Sequence, residues 1–438
     1  MSGNLLFNKN EEMKQSIYNH FVSIGGGKVI CYNAFADAFL VTTDGNAENI
    51  EKHDPSSKIY NQFIDNGFIV EDNFDEKKAF LDEREAAIHT KDTYQLIINP
   101  TMDCNLKCWY CYETHKEGSC LSEDLICAIE KHIEIKFKSI KFNELILIFF
   151  GGEPLLRIDV VERLIKIAKM LSAKYDFALH VSFTTNGTLM TDELLAILKT
   201  EATSFQITLD GNEECHNKIR KLKETGGATY STILNTVERI LTSLNDKTEI
   251  ILRVNMSAAT VKDMEQILSD IDKFSSYHNF SVGLHRVWQV NSDKIDETKV
   301  LSFVSKCQSL GIKCNYLNLQ KCFCCCYADY ENEAIINYDG LVYKCTAREF
   351  KKENSCGHLD LDGVIIWDKV LMNKRLSLTL PAKCEDCNLL PACPKYCSQK
   401  LMENATQGCP IDESYSVSDY IVHNFNNYLI DYKKNLNK

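Results

Sequence analysis

Two kinds of apolar segment alternate between residues 93 and 290. Short, nearly continuous runs occupy Tyr94–Asn99, Leu145–Phe150, Leu179–Phe183, Phe205–Leu209, Ile250–Asn255 and Ser281–Val287. The run LILIFF is apolar at every position, as a strand buried in a parallel sheet should be. The segments between these runs are amphipathic with a helical period: Val161, Leu164, Ile165, Ala168 and Leu171 share one face. Repeated strand–helix units predict a parallel sheet, either open or curled toward a barrel. In both arrangements ligands bind where the strands end, at their C-terminal edge.

The flanks differ. In residues 1–92 the run FVSIGGGKVICY predicts a hairpin around three glycines. A further apolar run, Ala36–Thr42, leads to a turn at Asp44–Gly45, and IYNQFIDNGFIV reads as a short helix entering a strand. The charged stretch Asp75–His89 predicts a helix with Phe80, Leu81 and Ile88 as its contacts. A mostly helical bridge is expected over 291–320. Residues 321–410 show little periodicity yet hold eleven cysteines. Such a segment is expected to fold around metal rather than on an apolar core. Near the end, Val417, Ile421, Phe425, Tyr428 and Tyr432 fall on one helical face, which predicts a docking helix. The domains expected are therefore 1–92, 93–290, 291–320, 321–414 and 415–438.

With 438 residues the chain suits two or three domains. A formal net charge of -12 opposes nonspecific contact with nucleic acid and anionic membrane, so neither is an expected partner. MSGNLLFNKNEEMK has no apolar stretch after a basic start, and no run of about 18 apolar residues occurs anywhere. A cytoplasmic location is the default. Twenty cysteines are far more than that compartment uses for disulfides, so metal binding is the expected use.

The first predicted strand runs into Cys104, Cys108 and Cys111, spaced CxxxCxxC. Structural zinc takes four ligands and usually paired CxxC or Cys/His units, which three cysteines do not supply. A four-iron cubane normally takes four thiolates, so three leave one iron free for a ligand. This spacing resembles the radical S-adenosylmethionine (SAM) superfamily. There the open iron chelates the cofactor's amino and carboxylate groups, and reductive cleavage of the sulfonium yields methionine and a 5′-deoxyadenosyl radical. The resemblance assigns the residue before the third cysteine, Tyr110, to the adenine. It assigns Gly151, Gly152 and Glu153 of a GGEP segment to the amino group, and Thr185 and Asn186 of a TNG segment to the ribose. Arg220, after Asp210-Gly211 and His216, pairs either with the cofactor carboxylate or with Asp210. Arg253 and Asn255 reach the cofactor or fill the barrel interior.

Further on come Gly340-xxxx-Cys345, then Cys384-xx-Cys387-xxxxx-Cys393-xxx-Cys397, and Cys409. This resembles the SPASM domain, which carries two auxiliary [4Fe–4S] clusters. The resemblance covers roughly residues 93–412. It gives one cluster Cys345, Cys397 and one or two of Cys322–Cys326, with Cys326 the best fit and Cys322 next. The other takes Cys384, Cys387, Cys393 and Cys409. A two-zinc site is the alternative for these cysteines. Cys31, Cys120, Cys127, Cys215, Cys307, Cys314 and Cys356 are left as buried thiols.

The fold implied is α/β: a partial (β/α)6 TIM-like barrel with a small α+β N-terminal domain and a cysteine-rich iron–sulfur C-terminal domain. The cofactors implied are three [4Fe–4S] clusters and SAM. The partners implied are a precursor peptide with its leader and an external electron donor such as flavodoxin or ferredoxin. The activity implied is maturation of a ribosomally made peptide, with a thioether or carbon–carbon cross-link as product. The N-terminal segment loosely resembles the winged-helix-like domain that clamps a leader peptide in such enzymes. Alternatives are a sulfatase-maturating, formylglycine-forming enzyme, a peptide epimerase, and a non-enzymatic iron–sulfur or zinc-binding interaction protein. Sulfatase maturases place Asp after the cysteine corresponding to Cys345; here it is Thr346.

Overall fold

In a computed structural model, the residues described are 12–52, 56, 58–287, 294–323, 326–394, 396–405 and 407–436. Cys324 and Cys325 lie outside them. The chain forms two compact units.

The smaller unit comprises residues 1–89, 317–330 and 375–426. Strands β1 (Met13–Gln15), β2 (Asn19–Gly25), β3 (Lys28–Asn33), β4 (Ala38–Thr43) and β5 (Ile69–Glu71) make two small sheets. One is antiparallel in the order β2-β3-β4, and the other pairs β1 with β5. The glycine run forms the predicted hairpin. At Asp44–Gly45 the chain does not merely turn but starts a helix, Asp44–Lys52. Thr43 explains the difference: its hydroxyl accepts from Asn46 N at 3.3 Å and so caps the first turn. Val29, Cys31, Ile50, Phe63 and Phe68 pack as one core. Helix Glu76–Ile88 is capped by Asp75, whose Oδ1 accepts from Lys78 N at 2.9 Å. Lys77 reaches Asp386 at 3.0 Å, and Lys321 pairs with Glu83 at 3.3 Å while lying 4.3 Å from the Phe35 ring centroid. The N-terminal segment and much of the cysteine-rich segment are thus parts of one body.

The larger unit comprises 90–316, 331–374 and 427–438. Strands β6 (Thr93–Ile98), β7 (Glu144–Phe149), β8 (Ala178–Thr185), β9 (Ala202–Thr208), β10 (Thr248–Met256), β11 (Phe280–Arg286) and β12 (Lys313–Asn315) run parallel in chain order. The first six match the predicted strands to within a few residues. On β7, Leu145, Leu147 and Phe149 are wholly buried and the alternate residues are half-buried. Helices such as Glu123–Ile140 and Ile158–Tyr175 cover the fully buried face. The result is a mixed α/β fold with a large parallel sheet, in the manner of a partial TIM barrel.

The cysteine-rich region contributes more apolar structure than its sequence suggests. Strand β13 (Glu333–Ile336) pairs in parallel with β6, and β14 (Leu341–Tyr343), β15 (Gly357–Leu359) and β16 (Ile365–Trp367) follow antiparallel. Ala334, Ile336, Val342 and Leu359 join the barrel's own core. The expectation that residues 321–410 lack an apolar core is therefore corrected. Strands of three or four residues leave too little alternation to register as a period. Among the described residues no helix is long and apolar enough to cross a membrane.

Candidate active site

The C-terminal ends of β6 to β11 converge on a pocket of about 150 Å³ in the larger unit. Cys104, Cys108, Cys111, Tyr110, Gly151, Gly152, Thr185, Asn186 and Arg220 all line it. Of the site residues expected in this unit's barrel, only Glu153 stands behind the wall.

The cysteine loop after β6 is seated by two glycines after β7. A Cβ on Gly151, whose φ is +113°, would lie 2.3 Å from the Thr101 carbonyl oxygen, and one on Gly152 would lie 2.2 Å from that of Asp103. Both distances are forbidden, so only glycine lets the two loops touch. Gly152 N donates to Thr101 O at 3.1 Å and Glu153 N to Asp103 O at 2.8 Å, which locks that contact.

Glu153 is wholly buried. Its carboxylate accepts from Leu155 N at 3.1 Å, Thr185 Oγ1 at 2.7 Å and Asn186 N at 2.7 Å. The side chain thus joins the loop after β7 to the loop after β8. Asn186 in turn donates to Asn105 Oδ1 at 2.8 Å and lies 4.0 Å from Cys104 Sγ. Three loops are therefore held by one buried network.

A second network lies across the pocket. Tyr110 donates its hydroxyl hydrogen to Asp210 Oδ2. The same hydroxyl oxygen accepts from Arg220 Nη1 at 2.8 Å and Asn255 Nδ2 at 3.0 Å. Arg220 and Asp210 form a buried ion pair at 3.7 Å. Burial raises the Asp210 carboxyl even though Arg220 opposes the shift. Arg220 Nε is buried and has no partner, so one donor of this guanidinium remains for a ligand. His216 supports the loop: its ring faces Asp210 N at 3.1 Å and Thr229 Oγ1 at 3.0 Å.

The donor set suits an iron–sulfur cubane with a bound anion-bearing ligand. Burial, foremost, pushes the Cys104 thiol up to about 12 and the Cys108 thiol up to about 11. As thiolates they need a cation beside them. Among the described residues, no three His, Cys, Asp or Glu side chains converge as the ligands of one metal ion would. Arg220 adds an unpaired donor for a carboxylate.

Other lining residues had weaker sequence signals. Gln206 and Thr208 alternate on β9, and Arg253 and Asn255 on β10, so a period-two polar pattern marks the inner face. Glu113, also in the lining, carries no such signal. Both its oxygens are buried without a hydrogen-bond partner, and burial raises its carboxyl to about 9.

The cysteines expected in the auxiliary sets are distributed between the units. Cys345 follows β14 in the larger unit; Cys322, Cys326, Cys384, Cys387, Cys393, Cys397 and Cys409 are in the smaller. Cys387 N donates to Cys384 O at 3.1 Å, closing a tight turn. The Cys384 thiol is raised first by burial and then by neighbouring Cys387 and Cys409, and Tyr420 feels both Cys393 and Cys409. These four cysteines therefore occupy one neighbourhood.

Residues 98–271 match the model of the radical SAM superfamily, a span that includes most of the residues lining the pocket. Such a match implies a [4Fe–4S] cluster and SAM. Among characterised proteins, the chain is similar to the radical SAM cyclopropyl synthase TigE of Paramaledivibacter caminithermalis, 29% identical over 199 residues. That alignment covers 38% of this chain and 40% of TigE, so the chain matches less than half of that relative's length. A probable GTP 3′,8-cyclase of Methanococcus aeolicus is 23% identical over 60% of this chain and 88% of its own. The fold is similar to that of anSMEcpe with bound AdoMet and the Cp18Cys peptide: TM-score 0.52 and 16% identity, over 79% of this chain and 98% of that one.

Proposed function

We propose that this protein is a radical SAM peptide maturase that removes hydrogen from a ribosomally made peptide and closes an intramolecular thioether or carbon–carbon cross-link. The observation that carries the reading is the single pocket shared by Cys104, Cys108, Cys111, the paired glycines and the half-satisfied Arg220. When bound, the cluster and SAM supply a 5′-deoxyadenosyl radical. Cys104, Cys108 and Cys111 hold the cluster. Gly151 and Gly152 bring the backbone against the cysteine loop, and Arg220 Nε receives a carboxylate. Tyr110, fixed by three partners, presents its ring to the adenine.

The smaller unit supplies substrate recognition in this reading. Its sheet β2-β3-β4 has the strand edges to which an extended leader peptide adds. The bound peptide of anSMEcpe supports a peptide substrate. Cys384, Cys387, Cys393 and Cys409 hold one auxiliary cluster, and a second brings the total to three. An external flavodoxin or ferredoxin supplies the electron. Thr346, in place of an Asp base, favours cross-linking over formylglycine formation.

Anaerobic reconstitution tests the cofactor count: the protein should take up about twelve irons, and the Cys104/Cys108/Cys111→Ala variant about eight, with loss of 5′-deoxyadenosine formation. Tandem mass spectrometry of a co-expressed precursor peptide tests the product, which should be lighter by roughly 2 mass units for each link. An unchanged mass with deuterium uptake would replace cross-linking by epimerisation. Saturation near about four irons would remove the auxiliary clusters.

A further inference from the structure

A buried cation is normally held by an opposite charge, because its lost hydration is not otherwise recovered. Arg375, in the smaller unit, departs from this. It is 6% exposed, and its Nη2 donates to the neutral Gln399 side chain at 2.5 Å. Its Nη1 is buried with no hydrogen-bond partner. Three further orphans are Arg84 Nε, Ser398 Oγ and the Tyr396 hydroxyl oxygen. All four residues line one cavity of about 20 Å³ whose wall is otherwise mainly apolar, with Leu378 and Leu401 among it. Asp329 is the single carboxylate of the lining. The lining therefore carries two positive charges against one negative. No cysteine is among its lining residues.

We propose that this cavity binds one compact monoanion between Arg84 and Arg375, with the Ser398 hydroxyl as a third donor. The volume admits about one water-sized group. That suits a halide or a single carboxylate head and is too small for phosphate or sulfate. A water molecule would satisfy the donors but leave the net charge uncompensated. Two guanidinium groups around a carboxylate also match its bidentate geometry.

The test uses the reconstituted holoenzyme, kept at constant ionic strength in sulfate buffer. Bromide and formate are titrated separately while thermal unfolding is followed, and crystals grown with bromide are measured for anomalous scattering. At least one of the two anions should raise the unfolding temperature saturably, whereas further sulfate should not. If bromide is the anion bound, an anomalous peak should fall between Arg84 and Arg375. Saturation by formate alone identifies the carboxylate as the ligand, and by bromide alone the halide. Arg84→Met, at a half-exposed position, should weaken the apparent affinity about tenfold or more. It should leave the iron content unaltered. Ser398→Ala should weaken it less. Lack of a saturable response to both anions, or parental affinity in both variants, overturns the proposal.

Discussion

Replacing Glu153 by Gln separates two roles that a buried carboxylate beside a cofactor pocket can have. Three protein donors occupy it: Oε1 takes Leu155 N and Thr185 Oγ1, and Oε2 takes Asn186 N. A glutamine keeps one oxygen. Placed on the Oε1 side it retains two donors and turns its own NH2 toward Asn186 N. A buried N–H left without an acceptor costs about 1–3 kcal/mol. Burial already raises the Glu153 carboxyl against its three donors, so the neutral amide recovers part of the desolvation cost. The lower half of the range, about 1–2 kcal/mol, is therefore expected. At about 2–4 °C per kcal/mol for a unit of this size, the unfolding temperature should fall by roughly 2–8 °C. The assay is anaerobic thermal unfolding of parent and variant with equal iron content, together with SAM binding by equilibrium titration. SAM affinity should fall by less than about tenfold, since the residues lining the pocket are unchanged. An unfolding temperature equal to the parent's, with SAM affinity down by more than about tenfold, would refute the argument and make Glu153 a direct contact.

Gly152→Ala would place a Cβ against Asp103 O, and the cysteine loop must shift; iron content after reconstitution should drop, and full retention of iron would show that the loops can separate. Asp210→Asn removes the charge that faces buried Arg220 and should cost about 3–5 kcal/mol, read by thermal unfolding. His132, whose Nε2 meets Tyr94 OH at 2.6 Å and whose Nδ1 meets Gly363 O at 2.9 Å, has its pKa lowered by burial to about 4. Its folded value lies below the unfolded one, so it contributes stability at neutral pH that is lost as pH falls from about 6.5 to about 4, by roughly 3 kcal/mol in all. His132→Gln should flatten that slope in acid-unfolding measurements. Deleting residues 12–89 would disrupt the body that also holds Cys384 and Cys387, so auxiliary iron should fall along with peptide affinity; loss of peptide affinity alone would mean that the two parts fold independently.

The barrel and its pocket were legible because their signals are repetitive or chemically rare. Six apolar runs separated by helical periods marked the strands, and CxxxCxxC at a strand end marked three residues of the pocket lining. The strands β13 to β16 were not legible, since none is longer than four residues and cysteines dominate their surroundings. Glu153 illustrates a limit of a different kind. Its neighbours in sequence mark a cofactor loop, but the direction of its side chain depends on Thr185 and Asn186, more than thirty residues away. The partnership of the N-terminal segment with residues 317–330 and 375–426 was equally hidden. It rests on scattered pairs such as Lys77–Asp386 and Lys321–Glu83, which no local pattern announces.

Strand β6 is flanked by β7 on one side and by β13 on the other, and Asn99 meets Asn337 at 3.2 Å across 238 residues of sequence. During synthesis the ribosome delivers the cysteine loop early and its second flanking strand very late. Until residue 336 has emerged, the edge of β6 presents unpaired amides and carbonyls next to three reactive thiols, a combination that invites both edge-to-edge association and premature oxidation. Such distant pairing also slows folding, because the loop must close before the contact repays it. Recombinant yield should therefore depend on how fast the nascent chain is protected, and expression at lower temperature under reducing, anaerobic conditions should raise the soluble fraction more than it does for barrels whose first strand is an edge.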